Sequence, residues 1–204
     1  MYTREDVMNI VEGMGYKYFH DNNNKSYDVN IIGIRNSKSN GRVTNAFDDL
    51  MTISYKNADG EWMYHEYKCT TDPGTHWVEN ILNPDGVAIL KPGQYRGSHK
   101  LRLHQGKYLA LGQKKPVKVY RDANLDGKYD LIEESVKEGV YGINIHRATS
   151  RAGGKSSRVD KWSAGCQVIG SNDDWHEFLD ICQAAREIHG NSFSYTLIES
   201  KDIS

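Results

Sequence analysis

Gly142-Ile143-Asn144-Ile145-His146, then a basic Gly/Ser-rich segment, then Trp162-Ser163-Ala164-Gly165-Cys166-Gln167-Val168-Ile169-Gly170 is the stretch on which the reading of this chain turns. Each half is a short apolar run with one reactive side chain at its edge. Such runs predict strands, here two strands that bring a histidine and a cysteine to one point. Imidazole is the side chain whose ordinary pKa lies nearest neutrality, and a thiolate is a strong nucleophile. A neighbouring imidazole takes the thiol proton and lowers a thiol from about 8.5 into a range of roughly 3.5–7.5. Ala164 and Gly165 leave room for a carbonyl, and the N–H groups of Gly165 and Cys166 are candidates for an oxyanion hole. The pattern offers acyl transfer. The plainer reading of the same residues is a small buried cysteine and a hydrogen-bonded structural histidine.

Between the two runs lie Arg147, Arg151, Lys155, Arg158 and Lys161 against one acid, Asp160, among Ser, Ala and Gly. This composition reads as a solvated flexible loop, or as a lid whose guanidinium groups grip substrate carboxylates in bidentate fashion. Arg147 and Arg158 are the lid candidates, and Tyr141 and Trp162 flank the pair as candidate substrate contacts. Ser163, Asp160 or a backbone carbonyl could orient His146, and Ser163 could instead hold the loop that carries Cys166.

His146, a spacer of sixteen residues, then Ser163-Ala164-Gly165-Cys166 resembles the signature of L,D-transpeptidase (YkuD-type) catalytic domains. The likeness covers Tyr141 to Gly170 and, more weakly, the chain from about Asp72 onward. Ala164 stands where that family usually has His, and Gln167-Val168 replaces its apolar-then-polar pair. The resemblance implies a mainly β (α+β) domain, an L,D-transpeptidase-like β-sandwich, in which Cys166 attacks a peptide carbonyl of a peptidoglycan stem peptide and His146 is the base. Stem peptides carry carboxylates, which suits a cationic lid. The implied activity is that of a peptidase like a phage endolysin. Cross-link formation by L,D-transpeptidation, or a catalytically inactive wall-binding or virion module, are the alternatives. A papain-like or NlpC-type peptidase fits less well because those place Cys before His, and a zinc amidase lacks its spacing.

A second motif is independent of the first. Asp122-Ala123-Asn124-Leu125-Asp126-Gly127-Lys128-Tyr129-Asp130-Leu131-Ile132-Glu133 fits every position of a calcium loop. Asp122, Asn124, Asp126, the Lys128 carbonyl, Asp130 and Glu133 are the candidate ligands. The preceding Val117-Lys118-Val119-Tyr120 reads as a strand, not a helix, so the alternative is an acidic hairpin turn. A structural Ca2+ is the cofactor this loop offers; catalysis calls for none.

At 204 residues the chain suits a single domain, with 1–68 an N-terminal helix and β-hairpin portion and 69–204 the catalytic portion. A net charge of −1 argues against a nucleic-acid partner. Three cysteines (Cys69, Cys166, Cys182) are too few for a disulfide framework. No run is long and apolar enough for a membrane span, and the N-terminus lacks a signal-peptide pattern. The expectation is a monomer made in the cytoplasm and delivered to the wall, as phage lysis enzymes are.

The remaining elements follow from periodicity. Thr3 to Met14 reads as a helix opened by a Thr3/Asp6 capping box, Asp21 to Ser26 as a polar loop, and Tyr27 to Ile34 as a strand. Leu50–Tyr55 and Trp62–Cys69 form a hairpin about Asp59-Gly60. His76 and Trp77 are expected in a loop, and His99 and His104 as solvated residues on opposite faces of a strand. Ser171 caps a helix to His189, with Cys182 inert on its apolar face, and Phe193–Ile198 is a last strand.

Overall fold

The computed structural model describes residues 2–20 and 25–203; most of the polar loop expected at Asp21 to Ser26 lies outside the described residues. The chain is mainly β. Helix α1 (Arg4–Gly13) starts at Thr3, whose side chain accepts from the Asp6 amide while Asp6 caps Thr3 in return. Strands β1 (Asn30–Arg35), β2 (Asp49–Lys56) and β3 (Trp62–Thr70) follow, the last two forming the expected hairpin. A short helix α2 (Thr75–Glu79) stands where a loop was expected. The Gly74 carbonyl accepts from Trp77 and Val78, and burial of Val78 holds the turn.

Then come β4 (Val87–Leu90), β5 (Gly93–His104), β6 (Tyr108–Gln113), β7 (Val117–Asp122), β8 (Lys137–Gly139), β9 (Ile145–Arg147), β10 (Gln167–Ile169), helix α3 (Asn172–His189) and β11 (Phe193–Glu199). Eight strands close into a barrel in the order β1-β11-β5-β6-β9-β10-β3-β2. The resemblance implied a sandwich; the hydrogen bonding instead runs round one ring. Two pairs, β1–β11 and β9–β10, are parallel. Strands β4, β7 and β8 form a second sheet. One of its faces (Ala88, Leu90, Val117, Val119) joins the main core, and the other (Val87, Ile89, Tyr120) packs with Val78 of α2.

Inside the barrel, Leu101, Leu111, Ile145 and Ile169 share a core with Tyr195, Leu197 and the Trp175–Phe178–Cys182 face of α3. A buried polar chain ties the two sheets together. The Arg35 guanidinium pairs with Asp72 at 2.9 Å and donates to the Leu90 and Thr71 carbonyls, while Thr71 donates its N–H and hydroxyl to Asp49. Burial pushes the Asp49 carboxyl up to about 7. Gln167 extends the chain toward the barrel interior, donating to the Thr71 carbonyl and accepting from the Tyr195 hydroxyl. Among the described residues, no helix is long and apolar enough to cross a membrane.

Candidate active site

Strands β9 and β10 pair in parallel, Gln167 opposite Ile145 and Val168 opposite His146. Ile145, Gln167 and Ile169 face the core, so alternation puts His146 and Cys166 on the same opposite face. That much was legible in the sequence. The run at Gly142–His146 is less regular than expected, because β9 begins only at Ile145. Side chains from other strands take the place of a ladder there. Gln113 accepts from the Tyr141 and Ile143 amides, its own amide donates to Asn144 Oδ1, and fully buried His99 donates from Nε2 to the Ile143 carbonyl at 2.8 Å.

His146 is only 4% exposed. Its Nδ1 lies 2.9 Å from the Arg147 carbonyl, which can only accept, so the proton sits on Nδ1 and Nε2 keeps its lone pair. A backbone carbonyl is therefore the group that orients this ring. Burial, aided by the neighbouring His104, holds His146 down at about 4, the carbonyl bond opposing. Cys166 is partly exposed, and its Sγ donates to the Gly142 carbonyl at 3.3 Å. Burial of the sulfur pushes the thiol up to about 11. The resting pair is thus a neutral thiol and a neutral imidazole, not the ion pair expected of a free-standing Cys–His couple.

Ser163, fully buried, donates its hydroxyl to the Cys166 carbonyl at 2.7 Å and accepts from the Gly165 amide at 3.1 Å. It braces the turn that carries the cysteine. The Gly165 amide is committed to this bond, so the expected oxyanion role does not hold for that donor in the resting turn. Gly165 itself is required: its φ is +129°, and a Cβ would lie 2.3 Å from the Ala88 carbonyl oxygen.

The segment from 147 to 163 is tethered to the body of the protein at several points. Val159 is buried with Phe47, Ala148 and Val168, Asn45 bonds the Asp160 amide and carboxylate, and Ser156 donates to the Gly170 carbonyl. Arg147 stacks over the Tyr108 ring at 4.3 Å and reaches Asn172, so it is a packing cation rather than a lid group. Arg158 is exposed and pairs with Asp160 at 3.6 Å. Trp162 is exposed, and Tyr141 lies beneath the Arg121 guanidinium in a separate cleft lined also by Trp77 and Ala164.

Cys166 opens onto a cavity of about 440 Å³ lined by Gly142, Asn144, Ala110, Gly112, Arg102 and His104. Its floor is small by sequence, Ala110 and Gly112 of β6, between β5 on one side and the cysteine on the other. His99 is fully buried rather than solvated, while His104 is half-buried on a strand face that lines the cavity. They do take opposite faces. His99 serves the interior, while the His104 ring stacks on that of His146 with centroids 4.4 Å apart. Alternation gave their faces, but only the closure of β6 onto β9 could place His104 beside His146.

The side chains of the candidate calcium loop are engaged by amides of the loop and by neighbouring groups. Asp122, Asn124 and Asp126 accept from amides within the loop, Asn124 bonds Asp130, and Glu133 turns away to Lys91 and the Tyr120 hydroxyl. The Lys128 amide donates to Asp126 and the segment bridges to Arg42. Among the described residues, no group of three or more His, Cys, Asp and Glu is placed to hold a metal ion.

No protein-family model, curated protein or solved structure matches this chain.

Proposed function

We propose that the protein is a cysteine-dependent acyl-transfer enzyme of the L,D-transpeptidase type that acts on peptidoglycan stem peptides, with hydrolysis as its outcome. The observation that carries the reading is a partly exposed Cys166 on the wall of an open cavity, on the same strand face as a buried imidazole whose Nε2 is free to accept a proton. His146 removes the thiol proton, Sγ adds to the scissile carbonyl, and the amine leaves with that proton; water then resolves the thioester. Arg102 supplies the cavity with a cation suited to a stem-peptide carboxylate. Because the resting pair is neutral, deprotonation belongs to the substrate-bound state, in which the carbonyl displaces the Sγ–Gly142 contact.

The test is mass spectrometry of peptidoglycan fragments after incubation with wild type and Cys166→Ala. Trimmed or uncrosslinked stems in the wild type alone support hydrolysis, and exchanged termini or new cross-links make the enzyme a transpeptidase. A second reading, an inactive wall-binding module, draws on the thiol's bond to Gly142 O in place of an imidazole. Fragments unchanged by either protein but retained by both would favour it.

A calcium ion at 122–133 remains a proposal of the donor sequence, and it requires Glu133 to leave Lys91 for the ion.

A further inference from the structure

We propose that His104 is a second proton carrier of this site, the imidazole that meets the substrate's leaving group while His146 serves from beneath it. The inference rests on the acyl-transfer reading of Cys166. His146 is nearly sealed by Arg147, Tyr108 and the His104 ring, and it does not line the cavity. His104 does line it, together with Cys166.

The placement is built from three strands. His104 closes β5 opposite Tyr108, and Ala110 lies two residues further along β6 on the same face. Leu111 pairs with Ile145, so continuing that register sets His146 beside Ala110. A methyl group in the intervening position lets the two rings meet above it, where a larger residue would part them. Asn144 Nδ2 lies 3.4 Å from His104 Nδ1, and its Oδ1 is held by the Gln113 amide, so Asn144 is a fixed neighbour. The groups facing His104 are His146, Tyr108, Asn144 and Cys166, with Arg102 on its own strand and Arg147 behind Tyr108. Burial and Arg102 lower the affinity of His104 for a proton, which keeps it a neutral acceptor at neutral pH and a strong acid once protonated.

The proton balance is closed. His146 takes the proton from Sγ–H as the S–C bond forms, and water of the cavity carries it to His104. His104 gives that proton to the amine nitrogen as the C–N bond breaks. In the second half the attacking water gives its proton to His104 while its oxygen bonds the acyl carbon, and His104 passes that proton back by the same route to the departing sulfur.

The experiment is acetylation of Cys166 by p-nitrophenyl acetate, whose phenolate leaves unprotonated, and by p-nitroacetanilide, whose amine must be protonated to leave, followed by intact mass and release of nitrophenolate or nitroaniline, in the full chain and in His104→Ala, His146→Ala and Cys166→Ala. The expected result is a slowing of about 10²-fold in His104→Ala with the anilide, the range of one general acid–base group, and a much smaller change with the ester. Added imidazole should restore the anilide rate in His104→Ala, because that ring opens to the cavity, but not in His146→Ala. Wild-type anilide rates in His104→Ala, or slowing without imidazole rescue at an unchanged unfolding midpoint, would overturn the proposal while leaving the cysteine reading intact. Absence of any acetyl group on Cys166 in the wild type would instead sink the parent reading. Should His104→Ala fail to fold, His104→Gln keeps a planar group on the stack, and a wild-type anilide rate there overturns the proposal as well.

Discussion

Two motifs of the sequence come to different ends in the fold. His146 and Cys166 lie on one face of the β9–β10 pair, whereas Glu133 of the Asp122–Glu133 stretch bonds Lys91 and Tyr120 outside its loop. Both supply the right residue types at the right spacing, so spacing cannot be what separates them. Partners distant in sequence do. Gln113, His99 and Asn144 fix the backbone around the cysteine's cavity, whereas the loop's carboxylates bond to their own amides and Glu133 is claimed by Lys91. A motif determines which chemistry is available; the contacts that reach it from other elements determine whether its atoms converge.

The largest expected effect is on turnover. Cys166→Ala should lower stem-peptide cleavage by at least about 10²-fold, while Asp126→Ala should leave it unchanged in the same mass-spectrometric assay. Loss of activity in both variants would erase the contrast between the regions.

Stability should divide the same way. Gln113→Ala leaves the buried Ile143 amide and the half-buried Tyr141 amide without their acceptor and is expected to cost about 3 kcal/mol in urea unfolding. Asn124→Ala, on an exposed loop, should cost within about 0.5 kcal/mol. Similar costs would mean that the site's anchors are no more than surface contacts.

Acid provides a third separation. His99 and His146 both have folded-state values near 4 against an ordinary 6.5, chiefly through burial. A depressed histidine binds its proton more readily once unfolded. The stability it contributes is therefore full above pH 6.5 and is lost as pH falls from 6.5 to 4. Each ring accounts for a loss on the order of 3 kcal/mol. Unfolding free energy measured between pH 7 and 4 should fall less steeply in His99→Gln than in wild type, whatever the variant's stability at pH 7. Parallel curves would show that His99 is not buried neutral.

The smallest effect concerns calcium. Titration calorimetry of metal-free protein should give tighter Ca2+ binding in Lys91→Ala than in wild type, since that change frees Glu133. Equal heats, or none in either, would remove calcium from the account and leave the loop an acidic turn.

The sequence by itself determined the elements whose cause is local. The Thr3/Asp6 box starts α1, Ser171 starts α3, the alternating runs on either side of Asp59-Gly60 give the hairpin, and parity along β5 places His99 and His104 on opposite faces. It also singled out His146 and Cys166, because few residue types can do nucleophilic chemistry near neutrality. What it left open was everything set by which strands become neighbours. Ring closure through β6, β9 and β10, the stacking of His104 on His146 and the tethering of the basic segment to Asn45 all join residues far apart along the chain. Only the tertiary structure decided these. Local propensity acts over a few residues, while long-range pairing depends on how the whole apolar surface is buried together.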